Sequence, residues 1–251
     1  MKNVRGYFWH RHFNYLYKLY LLYIKHKTIL QKKTYSEWGE DLFILKYFKN
    51  LDEGFYVDVG AYHPFFLSNT NMLFKKKWKG INIDINPVSI EIFNVARPYD
   101  YNVNAAVSNK NKKYINYYTK NIINLLSTTV KNSAKTAFLN NSFTTQKTKC
   151  LTLNNIISKS NFKNRKIDFL NIDTEKSEVD VLKSINFKKY KPKLICIEIH
   201  LKDKDHKQVP LKTHLTYLYL KKKGYKIVWK KGYSFIFAKD KRRNTERPEL
   251  L

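Results

Sequence analysis

Residues 54–61, GFYVDVGA, and residues 80–85, GINIDI, decide how this chain folds. Each is a short apolar run opened by a glycine and carrying an aspartate towards its end, Asp58 in the first and Asp84 in the second. A helical stretch near 69–77 separates them, so the interval of 26 positions between the two aspartates is one strand–helix–strand step. The alternation continues outward. Asn86-Pro87 starts a helix through Ala96, YNVNAAVS (101–108) is a third strand, IDFLNID (167–173) a fourth and KLICIEIH (193–200) a fifth. Helices are predicted over Glu37–Lys49, Ser177–Ile185 and Leu211–Lys223. Strands alternating with helices predict an α/β domain with a mostly parallel, doubly wound sheet. The closing GYKIVW and SFIFAK are predicted to pair as an antiparallel hairpin. KYINYY (113–118) reads as a β excursion, and 119–148 as loop with a short helix.

The 251 residues suit one catalytic-sized domain, expected over 35–240 between a basic aromatic helix (1–34) and a basic tail (241–251). With 43% hydrophobic and 16% aromatic residues, a disordered chain is excluded. Cys150 and Cys196 have no CxxC spacing, which excludes a disulfide scaffold and a structural zinc site and points to a reducing, cytoplasmic compartment. The net charge of +28 suggests a nucleic-acid partner, yet only seven of the 48 basic residues are Arg, the residue that forks onto phosphates and guanine edges. Lysine-rich drift of composition explains the charge better, and no specific nucleic acid is expected.

No secretory signal or spanning helix is expected in residues 7–30, because charges and histidines interrupt the apolar run. Arg11, Lys18, Lys25 and Lys32 fall seven apart on one helical face, with Phe13, Leu16, Tyr17, Tyr20, Tyr23 and Ile24 largely opposite. The favoured reading is a helix packed on its own domain. The alternative is peripheral contact with an anionic membrane surface.

In open α/β sheets, ligands bind at the carboxyl ends of the strands. A glycine at position 60 lets backbone approach closely there, although neither GxGxxG nor a P-loop is present. Asp84 ends the second strand, where a carboxylate can accept both hydrogen bonds of a ribose diol.

The stretches YSEWGEDLFILKYF, GFYVDVGAYHP, SNTNMLFKKKWKGINIDINP, RPYDYNVNAAVS, FLNIDTEKSEVDVLKSI and KLICIEIH, in this order, resemble the FkbM-type S-adenosylmethionine-dependent methyltransferases. The resemblance implies a Rossmann-like class I methyltransferase fold, S-adenosyl-L-methionine as methyl donor and a sugar hydroxyl of a glycan or glycosylated metabolite as acceptor. It implies that Asp58, Gly60 and Ala61 form the methionine-side turn, that Asp84 holds the ribose, that Asn104 and Ala105 flank the adenine, and that Asp173 and Glu175 lie between methionine end and acceptor. Glu37, Glu40 and Asp41 match the family's acidic lead-in without an assigned role. The chain departs from the pattern at Lys176, where glycine is usual. If that position needs φ > 0, lysine is strained there.

A sugar hydroxyl is a weak nucleophile, so a base should assist by roughly 10²–10⁴-fold. The candidates are Asp173, Glu175, Glu198, His200 and His63. Asp173, Glu175 and Glu198 could also offer oxygen ligands to magnesium, though three carboxylates without an ion is the expected reading. The competing functions are methylation of RNA or protein, suggested by the charge, and a non-catalytic module holding a glycan or anionic surface, suggested by Lys176.

Overall fold

The computed structural model describes residues 14–26, 33–110, 112–120, 126–138, 143–201 and 207–240. The expected helix residues 7–13 and 27–30, and the tail 241–251, lie outside the described residues. A seven-stranded sheet runs in the order β3-β2-β1-β7-β8-β10-β9. Its strands are β1 (Phe55–Val59), β2 (Lys79–Asp84), β3 (Tyr101–Asn104), β7 (Phe169–Ile172), β8 (Leu194–Glu198), β9 (Tyr225–Lys231) and β10 (Ser234–Lys239). The first five are mutually parallel, while β10 pairs antiparallel with both β8 and β9. This is the α/β class I methyltransferase architecture with its closing hairpin. The short central strands are buried along their length, as a parallel sheet covered on both faces requires.

Alternation sorts their side chains into two layers. Phe55, Val57, Val59, Ile81, Ile83, Leu170, Ile172, Ile195 and Ile197 join one core cluster, together with α6 (Leu153–Lys159) and α7 (Glu178–Lys183). Tyr56, Phe169, Leu194 and Cys196 face the other layer, with Ile44 of α2 (Glu40–Tyr47) and Leu73 of α3 (Asn71–Lys75). On that second face the outer ends of β1 and β7 place polar Asp58 and Asn171 where apolar residues would otherwise continue.

The expected third strand divides in two. After Asn104 the chain leaves the main sheet, and β4 (Ala106–Val107) pairs instead with β6 (Thr144–Leu151). The cause is local: Asn104 Nδ2 donates to the carbonyls of Asp84 (3.0 Å) and Ile85 (2.9 Å), and the Ala105 N–H also takes Asp84 O (3.0 Å). With β5 (Tyr114–Thr119), β6 completes a second, three-stranded sheet. The expected short helix is present as α5 (Lys131–Ala137), but the 119–148 stretch also contains most of β6, a strand the sequence hides because only two of its eight residues, Thr148 and Cys150, are buried.

The N-terminal helix α1 (Asn14–Leu19), continued by a π turn (Tyr20–Ile24), is packed as expected. Leu21 and Leu22 are buried against Val88 and Ile92 of α4 (Pro87–Ala96), and Lys18 Nζ lies 3.1 Å from Glu91. No described helix is long and apolar enough to cross a membrane.

Candidate active site

Two pockets open at the carboxyl ends of the parallel strands. The first takes its floor from Val59, Gly60, Ile83, Asp84 and Ile85, and its sides from Tyr62, Ala105, Val107 and the Asp173–Glu175 segment. Ser127 and Thr129, contributed by the excursion around the second sheet, help enclose it.

Gly60 is what lets this floor form. Its φ is +81°, and a Cβ there would stand 1.6 Å from the carbonyl oxygen of Asp173. Only a residue without a side chain lets the β1 and β7 ends approach so closely, and the Asp173 N–H bonded to Val59 O at 2.9 Å locks the approach.

Asp84 is buried at the pocket edge, its two oxygens accepting the N–H groups of Tyr62 (2.9 Å) and Asn86 (2.7 Å). Burial pushes its pKa up to about 6, opposed by these two hydrogen bonds. Each oxygen keeps lone-pair capacity for a further donor. The pocket thus combines a buried acid with spare lone pairs at Asp84, apolar walls, and two further acids at Asp173 and Glu175. That donor and acceptor set fits S-adenosylmethionine.

Three residues expected in this pocket stand behind it. Asp58 is buried and accepts from Thr70 Oγ1 and Asn171 Nδ2, each at 2.8 Å. Thr70 in turn receives Arg97 Nη1 at 2.9 Å, and Arg97 is itself fully buried. Asp58 therefore anchors a polar network under the β1 turn. Ala61 spends its N–H on Ile83 O (3.1 Å), and Asn104 holds the β2 turn as described above.

The second pocket brings together residues from 37 to 234. Glu37, Glu40, Asp173, Glu175 and Glu198 line it, with His200, Asn69, Asn171 and Tyr233. Asp173 and Glu175 belong to both pockets and form their common wall. Burial drives Asp173 well above the carboxylate range, reinforced by the charges of Glu198 and Glu175. Burial likewise brings Glu175 to about 7, with Glu198 adding to the rise and His200 opposing it. His200 Nε2 sits 3.3 Å from Glu198 Oε2, and that pairing raises the imidazole against the effect of burial. Asp173, Glu175 and Glu198 each offer an oxygen within 4.8 Å of the others, a spacing at which a divalent cation could bridge them.

The acidic lead-in now has roles. Asp41 ties down the loop before α2, accepting from Tyr35 N (2.7 Å), Ser36 Oγ (2.8 Å) and Thr34 Oγ1 (2.5 Å). Glu40 accepts from Trp38 N (2.8 Å) and, with Glu37, faces the second pocket. His63, in contrast, is withdrawn from base duty. Its Nδ1 accepts from Phe65 N (3.1 Å) and Phe66 N (3.0 Å), its Nε2 meets Leu21 O at 3.1 Å, and burial lowers its pKa to about 3.

Lys176 does occupy a left-handed position, with φ +79°, directly after Glu175 at +52°. Two such residues cost about 1–3 kcal/mol each unless the surroundings hold them. Here the surroundings do: Glu178 Oε1 accepts Lys176 N at 2.9 Å, and Thr128 Oγ1 donates to Glu175 O at 2.8 Å. The turn that presents Glu175 is formed despite the lysine.

A family model, the methyltransferase FkbM domain, matches residues 58–227, more than half of the chain. The chain belongs to the FkbM methyltransferase family. No curated protein matches it. As an FkbM methyltransferase it has a methyl donor and an acceptor to accommodate, and the two pockets adjoin across Asp173 and Glu175. The matched segment contains the whole lining of the first pocket, whereas Glu37, Glu40, Tyr233 and Ser234 of the second lie outside it. Sequence reasoning missed Tyr62, Ser127 and Thr129 in the first pocket and Asn69, Asn171 and Tyr233 in the second. Tyr62, Asn69 and Asn171 all lie inside the stretches that carry the family resemblance, whereas Ser127, Thr129 and Tyr233 lie outside them.

Proposed function

We propose that this FkbM methyltransferase transfers a methyl group from S-adenosylmethionine to a sugar hydroxyl of a glycan or glycosylated metabolite. The observation that carries this reading is the acidity of the second pocket: five acidic side chains line it in a chain whose net charge is +28. An RNA acceptor would bring phosphates into that field, and like charges at close range are strongly disfavoured. A polyol carries no charge, and its hydroxyls can donate to carboxylates from several directions.

On this reading Asp84 holds the ribose hydroxyls, Ala105 and the apolar wall flank the adenine, and the Gly60 turn and Asp173 receive the methionine end. The donor supplies a sulfonium methyl that departs by in-line displacement. The chain aligns the acceptor oxygen with that methyl across the common wall, a positioning effect worth about 7–11 kcal/mol at best. Glu175 takes the acceptor's proton as the new O–C bond forms, its pKa of about 7 being matched to neutral conditions. His200 and Glu198 hold further acceptor hydroxyls. The free, buried Cys150 and Cys196 support a cytoplasmic setting.

The test is transfer of labelled methyl to a panel of glycan fragments, glycosylated metabolites, RNA and protein. A glycan or glycosylated metabolite should be labelled. Glu175→Gln should lower turnover by roughly 10²–10⁴-fold with donor affinity nearly unchanged, because the lost interaction belongs to the transition state. Labelling confined to RNA or protein would overturn the sugar acceptor.

A further inference from the structure

The N-terminal helix is apolar on two sides, and among the described residues only one of them is packed. Leu21 and Leu22, 2% and 0% exposed, seal the contact with α4, and Lys18 pairs with Glu91 beside them. Around the other side, Tyr15 (63%), Leu16 (58%), Tyr20 (44%), Tyr23 (48%) and Ile24 (60%) face outward within ten residues. Elsewhere among the described residues, large exposed apolar side chains occur in ones and twos. A surface helix normally carries a single apolar stripe, and a second one marks a surface that something covers.

The character of this face selects its occupant. Three of the five side chains are tyrosines, whose rings bury in apolar surroundings while their hydroxyls stay at water, the preference of aromatic residues at a lipid–water boundary. Residues 1–36 contain eight Lys or Arg and no Asp or Glu. A second copy of this chain would bring the same positive segment and another +28 against it, so self-association on this face is opposed by charge. A plane of anionic headgroups complements it. We propose that the Tyr15–Ile24 face docks on an anionic phospholipid surface, with the helix lying in the plane of the headgroups.

The docked helix is tied to the catalytic end of the molecule. Leu21 O meets His63, Tyr23 packs on Phe65 at 5.9 Å between ring centroids, and His26 stacks on Phe66 at 4.2 Å. This is the same loop whose Tyr62 N–H holds Asp84. Docking therefore presents the strand-end pockets at a fixed height beside the lipid.

The experiment is co-sedimentation of the full chain with phosphatidylcholine vesicles, with and without phosphatidylglycerol, beside sedimentation velocity without lipid. The chain should partition onto the phosphatidylglycerol vesicles and much less onto pure phosphatidylcholine. Partition should fall steeply between roughly 0.1 M and 1 M salt, as the Debye length shrinks from about 10 Å to about 3 Å. The triple variant Leu16→Ser, Tyr20→Ser, Ile24→Ser should bind at least about tenfold less, with an unchanged unfolding midpoint, since these side chains are exposed in the fold. Equal partition of variant and wild type would overturn the proposal. So would a lipid-free dimer that the triple variant dissolves.

Discussion

The two pockets share a wall and differ in almost everything else. On the proposed reading the first pocket is the donor side; it is built from the ends of β1, β2, β3 and β7 with Ser127 and Thr129 of the excursion, and Asp84 is the one acid of its lining that the second pocket does not share. The acceptor-side cleft is assembled from the loop before α2, the ends of β7 and β8 and the β9–β10 turn, and it is crowded with acids. One is a fixed mould, set by close backbone approach. The other is an acidic chamber in which burial first, and neighbouring acids second, raise the pKa of Glu37, Asp173 and Glu175. The comparison teaches that, on the proposed reading, donor and acceptor sides of this chain draw on different parts of it, so that a substitution on one side can leave the other intact. They meet only at Asp173 and Glu175.

The largest break in that comparison should come from Gly60→Ala, which attacks the floor of one pocket and the wall of both. The added Cβ collides with Asp173 O and the φ of +81° becomes strained, so the strand ends must part. A loss of about 3 kcal/mol or more is expected, read as a melting temperature lowered by roughly 6–12 °C, with donor binding lost. A variant with normal melting and normal binding would show that the two pockets do not depend on this contact.

Asp84→Ala should separate the pockets more cleanly. Donor affinity should fall by about 1.5–3 kcal/mol, roughly 10- to 150-fold by calorimetry, while the acceptor cleft keeps its lining. The pH dependence carries a sign. The carboxylate is the form that accepts hydroxyl hydrogens, and Asp84 ionises near 6, so affinity should rise with pH through 6 and be about tenfold weaker at pH 5 than at pH 7. Asp84→Ala should flatten that profile. A profile that persists in the variant would assign the titration to the shared wall instead.

How much of this was legible in the sequence follows from the same contrast. Strand ends alone drew attention to Gly60, Asp84 and Asp173, the family resemblance added Ala105, and all four line the first pocket. Asp58 misled because the alternation of a buried strand puts it on the opposite face from Val57 and Val59, towards Thr70 and Asn171. Its neighbour in the sequence motif points to the ligand edge, and Asp58 points to the scaffold. The acceptor cleft depends on contacts between residues more than a hundred positions apart, which no local period records. Glu37 and Glu40 were visible as acids and invisible as a lining. The divided third strand was hidden for another reason: the run YNVNAAVS is uniformly strand-like, and the break at Ala105 is made by the Asn104 side chain reaching back to β2.

Lys176→Gly should give the smallest effect and sharpens the picture of the shared wall. Relieving a lysine at φ +79° should stabilise the fold by about 1 kcal/mol, a melting temperature higher by roughly 2–4 °C. Turnover should change little, because Glu178 and Thr128 already hold the turn. A several-fold gain in turnover would mean that the turn is only partly formed and that lysine is restraining the enzyme.

The excursion that roofs the donor pocket leaves and returns at one spot. Ala106 pairs with Cys150 and Val107 with Leu151, and the Ser108 N–H reaches Leu151 O at 3.0 Å. The loop between is thus closed at its base by its own two rungs, and the entropy of closing it grows only slowly with length. The excursion can therefore vary in length away from the pockets while the sheet beneath keeps its register, provided that Ser127 and Thr129 still line the first pocket and Thr128 still holds Glu175 O.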